Sequence, residues 1–295
     1  MGLKGGIGGL GMPYCQSMLT LPHTVDVHTR AAAHKIELLR IPSRFLVSAM
    51  LAGMWIGVGD VLMWSAGGQF FVQDNPATEL VAGSVFAAAL TIVVFAGSEL
   101  ATSAMMILPI GALRGAISWT EAGVALLAVF FSNMIGSFAF AWVMIQTGLL
   151  KTGAAHDFWA SYLTAKIEHT PVELFWRGVM ANVLVSGAVW AAARLKSEAG
   201  KAIIIFWCVL GFVASGFEHV VANMTTFAIG LLGGGNVDVT WGDFGINMFT
   251  VGLGNLVGGG IVIGFAYAYV AGKKGETDAP AAPESSAVAE TLAAS

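Results

Sequence analysis

A glutamate and a histidine interrupt a long apolar run in the second half of the chain. They lie in the stretch Gly216-Phe217-Glu218-His219-Val220-Val221-Ala222-Asn223-Met224, between the apolar residues 202–215 and 225–232. An ionisable side chain at that depth in a bilayer is costly and is by default functional. Glycines at 211 and 216 favour a helix break, and backbone unwinds inside a membrane only where protein or a water-filled cavity satisfies its polar groups. The stretch therefore predicts a pore-lining helix break that carries His219.

The composition predicts that most of the chain is embedded in a membrane. Of the 295 residues, 56% are hydrophobic and 11% are charged, whereas soluble domains carry about 25% charged residues. The two cysteines, Cys15 and Cys208, give neither a disulfide framework nor a metal-ligand spacing. We therefore expect an all-α integral membrane protein. A membrane-embedded enzyme or redox subunit would need haem ligands, cysteine clusters or metal-spaced carboxylates, and His219 is the only histidine deep in a predicted span. We therefore expect no enzyme activity, no metal or cofactor and no nucleic-acid partner.

Six apolar segments follow a more polar N-terminal stretch, and a straight span needs roughly 20 residues. We expect a cytoplasmic segment over 1–40 with a short helix at 31–39, a transmembrane domain over 41–272, and a disordered cytoplasmic tail over 273–295. The second and fifth segments are over-long, and each is interrupted in its middle. The predicted segments are Phe45–Trp64, Leu80–Leu113, Ala122–Gly148, Pro171–Ala193, Ala202–Leu232 and Phe244–Ala271.

The distribution of Lys and Arg predicts the orientation of the chain. Basic residues precede the first segment, follow the second and fourth, and return in the tail, but none lies between segments one and two or between five and six. The exception is the link between segments three and four, which contains Lys151 and Lys166. Because basic loops stay on the cytoplasmic side, we expect a multi-pass protein of the cytoplasmic membrane with both termini in the cytoplasm.

The two halves of the chain repeat the same pattern. Gly97–Met105 and Gly216–Met224 both read Gly-x-Glu-x5-Met, and Asn133 and Asn255 follow at similar separations. Each half contains three spans, and because three is odd the second half must insert upside down relative to the first. Two inverted repeats with interrupted spans in corresponding positions indicate a binding site near the middle of the membrane.

The chain resembles the formate/nitrite transporter family over roughly residues 40–272. The matching motifs are Gly97-Ser98-Glu99-Leu100-Ala101-Thr102-Ser103, Ser215–Met224 and Gly254-Asn255-Leu256-Val257-Gly258-Gly259-Gly260. The segment Ile205-Phe206-Trp207-Cys208 is most similar to the nitrite branch. The resemblance implies an aquaporin-like fold of six transmembrane helices, and a homopentamer in which each protomer has its own pore.

The resemblance also implies roles for individual residues. His219 would be the central pore histidine and Thr102 its partner on the other broken helix. Where the family usually has a bulky aromatic residue this chain has Ala101, so the inner constriction would be wider or more mobile. The remaining implied residues are Leu90 and Leu100 at the cytoplasmic constriction, Phe86 and Phe212 at the outer one, Lys166 near Asn182 in the outer vestibule, and Asn255 in support of the break.

The polar residues near the breaks admit two interpretations. A carboxylate that lined an anion path would repel its cargo, so we expect Glu99 and Glu218 to accept backbone N–H groups freed by the breaks, together with the support residues Asn133 and Asn223. Each functional assignment has a structural alternative: His219 as a buried core histidine, Thr102 as a backbone acceptor, and Lys166 as a solvated lysine. Asp60 and Arg177 are intramembrane charges without an evident partner in the sequence.

The predicted substrate is a small monovalent anion of a weak acid, nitrite or formate, moved passively or with a proton. We expect Lys166 to attract the anion and His219 to share a proton with it, because a neutral acid crosses an apolar ring at much lower cost than an ion. The alternative is an aquaporin-type channel for water or neutral solutes. That class normally has two Asn-Pro-Ala turns, and this chain has one, at residues 75–77.

Overall fold

The computed structural model describes residues 18–235 and 237–272, and within them the regular structure is helical apart from one isolated bridge between Met18 and Leu195. The tail predicted to be disordered, 273–295, lies outside the described residues, as do 1–17. The helices are α1 (Leu21–Leu39), α2 (Pro42–Phe71), α3 (Thr78–Phe95), α4 (Ala101–Leu113), α5 (Trp119–Thr147), α6 (Ala154–Glu168), α7 (Pro171–Arg194), α8 (Glu198–Ala214), α9 (Val220–Leu231), α10 (Trp241–Leu256), a π-helical continuation (Val257–Phe265) and α11 (Ala266–Val270).

Five of these helical stretches are long and apolar enough to cross a membrane. They are Pro42–Phe71, Thr78–Phe95, Trp119–Thr147, Pro171–Arg194 and Trp241–Val270. The fifth predicted segment does not appear among them, because its break divides it into α8 with 17 residues and α9 with 12. The first segment is 30 residues long and therefore exceeds the predicted span at both ends.

Both interrupted segments break at a glycine in the left-handed backbone conformation. The φ angles are 70° at Gly97 and 67° at Gly216, a region that other residues enter only at a cost. After each glycine the backbone N–H of the next residue returns to the preceding helix, from Ser98 to the Val93 carbonyl and from Phe217 to the Phe212 carbonyl, both at 3.0 Å. Each glycine therefore ends one helix with a C-terminal cap and lets the chain restart as a second helix.

Three helical features were not predicted. Helix α1 begins ten residues before the expected short helix, with the Thr20 side chain as N-cap and a proline in its first turn. Helix α6 occupies what was predicted to be a link, because its 15 residues are too few and too mixed in polarity to give a membrane-span pattern. The third feature is the π-helix over Val257–Phe265, where a Cβ on Gly258 would lie 2.2 Å from the Val179 carbonyl oxygen. Glycine here allows the π-helix to pack directly against α7, as small residues do between membrane helices.

Helices α1 and α6 each precede a long helix, one in each half of the chain. Helix α1 precedes α2 and packs on α4 and α2, whereas α6 precedes α7 and packs on α2 and α9. Each therefore lies beside one of the helix breaks and can deliver a side chain to it. The main helix pairs around them are α2 with α3 and α5 in the first half, and α7 with α8 and α10 in the second.

Candidate functional site

The N-terminal ends of α4 and α9 meet inside the helix bundle. Thr102, the second residue of α4, and His219, the N-cap of α9, are linked by a contact of 2.9 Å between Oγ1 and Nε2. Both side chains are buried, with 0% and 3% exposure. A helix N-terminus presents free N–H groups and the positive end of the helix dipole. The two half-helices therefore direct positive potential toward the same point from two sides.

The hydrogen bonds of the His219 ring define its tautomer. Nδ1 accepts the backbone N–H of Ala222 at 3.2 Å, which requires this nitrogen to be unprotonated. The hydrogen of the neutral ring is then on Nε2, and it points at the Thr102 hydroxyl oxygen. Since that oxygen accepts from the imidazole, the Thr102 hydroxyl hydrogen is free to donate elsewhere. The pair can therefore present an O–H donor to a ligand beside it.

Two aromatic rings lie beside this polar pair. Phe212 stacks on the His219 ring with centroids 5.8 Å apart, and Phe86 contacts Phe212 edge to face at 5.9 Å. The predicted constriction residues Phe86, Leu90, Leu100, Ala101 and Phe212 are all buried, with at most 3% exposure. The structure thus brings the two phenylalanines together beside His219.

Two asparagines hold the breaks with the same set of hydrogen bonds. Asn133 accepts the backbone N–H of Ala101 at 2.8 Å and donates to the carbonyls of Ala49 and Glu99 at 2.7 and 2.9 Å. Asn255 accepts the N–H of Val220 at 2.9 Å and donates to the carbonyls of Gly178 and Glu218 at 2.7 and 2.9 Å. These amides satisfy backbone groups that the breaks expose and fix each restarted helix to a neighbouring span.

The prediction that Glu99 and Glu218 accept backbone N–H groups is wrong in its detail. Glu99 pairs with Lys35 of α1, and Glu218 pairs with Lys166 of α6, with Nζ 3.0 and 2.8 Å from its two carboxylate oxygens. An amide both donates and accepts, so it suits exposed backbone, whereas a buried carboxylate needs a cation or several donors. Asn223 provides one further donor to Glu218, at 2.6 Å.

Lys166 and Asn182 have separate sets of hydrogen-bond partners. Lys166 is 3% exposed, lies 4.2 Å above the Tyr162 ring and bonds to Glu218, so it is not a solvated lysine. Asn182 donates instead to the Thr102 carbonyl at 3.1 Å and to the Asn255 carbonyl at 2.7 Å. Asn182 therefore connects the two breaks on the α7 side and shares no hydrogen bond with Lys166 in the described structure.

Sequence reasoning missed two cations that support the breaks. Lys35 was counted only among the basic residues that precede the first segment, although it stands ahead of the first half as Lys166 stands ahead of the second. Arg177 donates from Nη1 to the Gly216 carbonyl at 2.8 Å, and its own carbonyl accepts the Glu218 N–H at 3.2 Å. The internal repeat was the available signal for Lys35, whereas no local pattern pointed to the contact of Arg177.

The Asn-Pro-Ala sequence has a local structural role. Asn75 Oδ1 accepts the backbone N–H of Ala77 at 2.9 Å in the turn that precedes α3. Such an Asx turn, in which the side chain mimics a backbone turn, is common in loops. Its hydrogen bonds join the turn to the adjacent ends of α2 and α3, and none of those in the described part of the chain reaches either break.

Comparison with known proteins connects this geometry to one family. The sequence profile described as "Formate/nitrite transporter" matches residues 22–269. The nitrite transporter NirC of Escherichia coli (strain K12) is 34% identical over 252 residues, which cover 84% of this chain and 92% of that protein. A solved structure described as an FNT family ion channel superposes with a TM-score of 0.79 at 34% identity, covering 84% of this chain and 98% of that one.

A second solved structure, described as a pentameric formate channel with formate bound, superposes with a TM-score of 0.69 at 29% identity and covers 78% of this chain and 98% of its own. The profile match extends over nearly all of the described residues, and it includes both breaks and the helices α1 and α6 that support them. The chain belongs to the formate/nitrite transporter family.

Proposed function

We propose that this protein transports a small monovalent anion of a weak acid, nitrite or formate, across the cytoplasmic membrane. The observation that carries the proposal is the buried contact of 2.9 Å between Thr102 and His219 at the facing ends of α4 and α9. The relatives support it, since NirC is named as a nitrite transporter and the pentameric channel as a formate channel. A monovalent oxyanion can accept the Thr102 hydroxyl hydrogen while two helix N-termini favour its charge.

The apolar surroundings call for charge neutralisation during passage. A bare anion beside Phe86 and Phe212 loses its hydration without replacement, at a cost of many kcal/mol, whereas the neutral acid loses much less. Falling dielectric favours protonation of the anion itself as it approaches the site. His219 donates its Nε2–H to Thr102 and so orients the Thr102 hydroxyl, whose hydrogen stabilises the anionic form until the proton arrives. In this mechanism transport is passive or coupled to a proton.

The carboxylates beside the breaks do not oppose an anion in this arrangement, because each is paired with a lysine. The outer pair of Lys166 and Glu218 fixes the second break, and with Asn182 it sets the position of the α9 N-terminus. We assign Lys166 this positioning role together with a contribution to the positive potential on the outer side. The same roles on the inner side belong to Lys35 and Glu99.

We further propose six transmembrane spans in two inverted, aquaporin-like repeats, with α3 and α4 as one interrupted span and α8 and α9 as another. The matching hydrogen bonds of Asn133 and Asn255 and the matching lysine–glutamate pairs support this arrangement. The distribution of basic residues supports cytoplasmic termini, and the pentameric formate channel supports a homopentamer with a pathway in each protomer. A water channel of aquaporin type is disfavoured by the family membership and by the position of the Asn-Pro-Ala turn.

Flux through purified protein in liposomes tests the proposal. Wild type should take up labelled nitrite or formate and should exclude glycerol, whereas His219→Phe should lose uptake. Thr102→Val removes one donor to the anion and should reduce flux by about tenfold, the equivalent of about 1.4 kcal/mol. The matched control is His34→Phe, at a histidine whose side chain is 72% exposed. Wild-type rates in both site variants would overturn the assignment of the site.

A further inference from the structure

Asp60 is a buried carboxyl group that the proposed pathway does not use. It lies in the middle of α2 with 1% exposure, and neither of its oxygens has a hydrogen-bond partner among the described protein groups. Glu99 and Glu218, by contrast, are each paired with a lysine. An ionised carboxylate left alone at this depth would be highly unfavourable, so Asp60 requires another means of compensation.

Two further unpartnered polar atoms lie along the same part of α2. Trp64, one turn after Asp60, has a buried Nε1–H without an acceptor among the described groups, and Thr225 of α9 has a buried hydroxyl without a partner there. The Thr225 hydroxyl oxygen would lie 2.8 Å from a Cβ at Gly57, which places it beside α2 one turn before Asp60. Positions 57, 60 and 64 share one face of the helix. Asp60 and Trp64 lie on this face of α2 and Thr225 of α9 lies beside it, and we call these three buried residues the polar strip.

The groups in this strip match a protonated carboxyl with bound water. Asp60 provides hydrogen-bond acceptors, Trp64 provides one hydrogen-bond donor, and the Thr225 hydroxyl can both donate and accept. Buried water typically makes about three hydrogen bonds to such groups. A neutral Asp60 needs one acceptor for its own hydrogen and donors for its remaining lone pairs, and Thr225 with water can supply them.

The strip lies within the electrostatic range of the outer break. The charge of Lys166 acts on Asp60, and α6 carries Lys166 and Tyr162 toward it. Helix α9 has no ionisable side chain, and Glu121 of α5 is at the opposite end of α2, near Arg40. The other ionisable groups from elements beside the strip are Glu79, His156, Asp157, Arg177, Glu218 and His219.

The balance of charge around Tyr162 depends on Asp60. Charges that act on this residue include those of Glu218, Glu79, Asp60 and Arg177, and Lys166 lies over its ring. With Asp60 ionised the acidic groups outnumber the basic ones, whereas with Asp60 neutral the two signs balance. A net negative outer vestibule would repel the anion on approach.

We propose, on the basis of the function proposed above, that Asp60 holds a proton at neutral pH in a hydrated polar site formed with Trp64 and Thr225, and that this proton keeps the outer half of the anion pathway from becoming net negative. The proton comes from the outer solution and returns to it when the outer side becomes alkaline. Asp60 therefore acts on the anion only through the charge balance of the outer half of the pathway, and it does not contact the anion.

Infrared spectroscopy of the full-length protein in lipid tests the proton directly and without reference to transport. At neutral pH, wild type should show the C=O stretching band of a protonated carboxylic acid, and Asp60→Asn should lose it. The control Glu37→Gln alters a glutamate whose side chain is 72% exposed and should keep the band. Thr225→Val should shift the band, because it removes a hydrogen-bonding group, and it serves where Asp60→Asn does not fold.

Formate uptake against outer pH tests the consequence. Wild-type uptake should fall at alkaline outer pH more steeply than uptake by Asp60→Asn, in which the group stays neutral at every pH. Absence of any band that depends on Asp60, or identical pH profiles for wild type and Asp60→Asn, would overturn the proposal. A protein that shows the band but moves no anion would overturn the proposed function and leave the protonated Asp60 in place.

Discussion

The two helix breaks have the same pattern of hydrogen bonds, but the groups that hold the second break are more deeply buried. Each has a left-handed glycine, an asparagine bridge and a lysine–glutamate pair. At the first break, the side chains of Lys35 and Glu99 are 10% and 11% exposed, whereas those of Lys166 and Glu218 at the second are 3% and 5% exposed. The second break also has Arg177 on its Gly216 carbonyl. We infer that the second break is the rigid one and that the first opens more easily.

Removal of each lysine should reveal this difference most strongly. Lys166→Met leaves Glu218 buried without its cation, so the free energy of unfolding in detergent should fall by about 3–5 kcal/mol. Lys35→Met should cost less, because water reaches the first pair more easily. Denaturant titration of both variants measures the two losses.

The control for these lysine variants is Lys201→Met, which breaks an exposed pair with Glu198 and should change stability by less than about 1 kcal/mol. The double variant Lys166→Met/Glu218→Gln should regain part of the loss, since no unpaired charge remains. Equal losses at Lys35 and Lys166 would contradict the difference between the breaks.

The two asparagines that hold the breaks, Asn133 and Asn255, should instead contribute equally to the free energy of unfolding. Asn133→Ala and Asn255→Ala each remove three hydrogen bonds to buried backbone, and each should lower the free energy of unfolding by about 2–4 kcal/mol. Asn75→Ala, in the turn before α3, is the matched control and should cost less. A large loss at only one of the two bridges would show that the repeat is not energetically symmetric.

The sequence predicted both breaks because their signals are local. Glycine, glutamate and a following polar residue stand within nine positions in each half, and an apolar run around them leaves little alternative to a membrane helix. The same local pattern, together with the resemblance, predicts that His219 and Thr102 face each other. The two side chains are in contact at 2.9 Å, and their roles in transport stay predictions.

The partners of Glu99 and Glu218 were not predictable in the same way. Lys35 lies 64 residues from Glu99, and Lys166 lies 52 residues from Glu218, so no helical spacing connects them. Helix α6 was missed because its 15 residues give no membrane-span pattern. The π-helix approaches α7 closely at Gly258, and such an approach is a property of packing and not of periodicity. The sequence thus indicated where the chain breaks, and tertiary contacts decide what holds the breaks.

The helices that carry the two lysines should respond to acid in opposite directions. His28 of α1 stacks on Trp190, and burial, helped by the charge of Lys35, lowers its pKa from 6.5 to about 4. The hydrogen bond to Asp157, with a second to the Gly235 carbonyl, raises the pKa of His156 in α6. The contribution of His28 to the free energy of unfolding is therefore complete above pH 6.5. It is lost as pH falls toward 4, by up to about 3 kcal/mol. The contribution of His156 to the free energy of unfolding is complete below pH 6.5 and is lost as pH rises through the raised pKa of His156.

Hydrogen exchange resolved by segment measures both effects. After correction for the intrinsic exchange rates, the backbone amides of α1 should exchange faster at about pH 5 than at neutral pH, whereas those of α6 should not. His28→Phe keeps an aromatic ring against Trp190 and should remove the acid sensitivity of α1. Unchanged exchange of α1 in wild type on acidification would mean that His28 does not report on the docking of this helix.

The smallest expected effect separates backbone strain from local crowding at the two glycines. Gly97→Ala meets no atom within 4 Å, so only the positive φ is unfavourable and the cost should be about 1 kcal/mol. At Gly216 a new Cβ would lie 3.2 Å from Nη1 of Arg177, whose bond to the Gly216 carbonyl would be disturbed, so Gly216→Ala should cost more. Gly123→Ala in α5, also without a neighbour within 4 Å but with ordinary helical φ, should stabilise slightly. All three variants add the same methyl group, so their losses in the free energy of unfolding can be compared directly. A loss that is largest at Gly216, smaller at Gly97 and absent at Gly123 would place the tighter break in the second half. A larger loss at Gly97 than at Gly216 would reverse that conclusion.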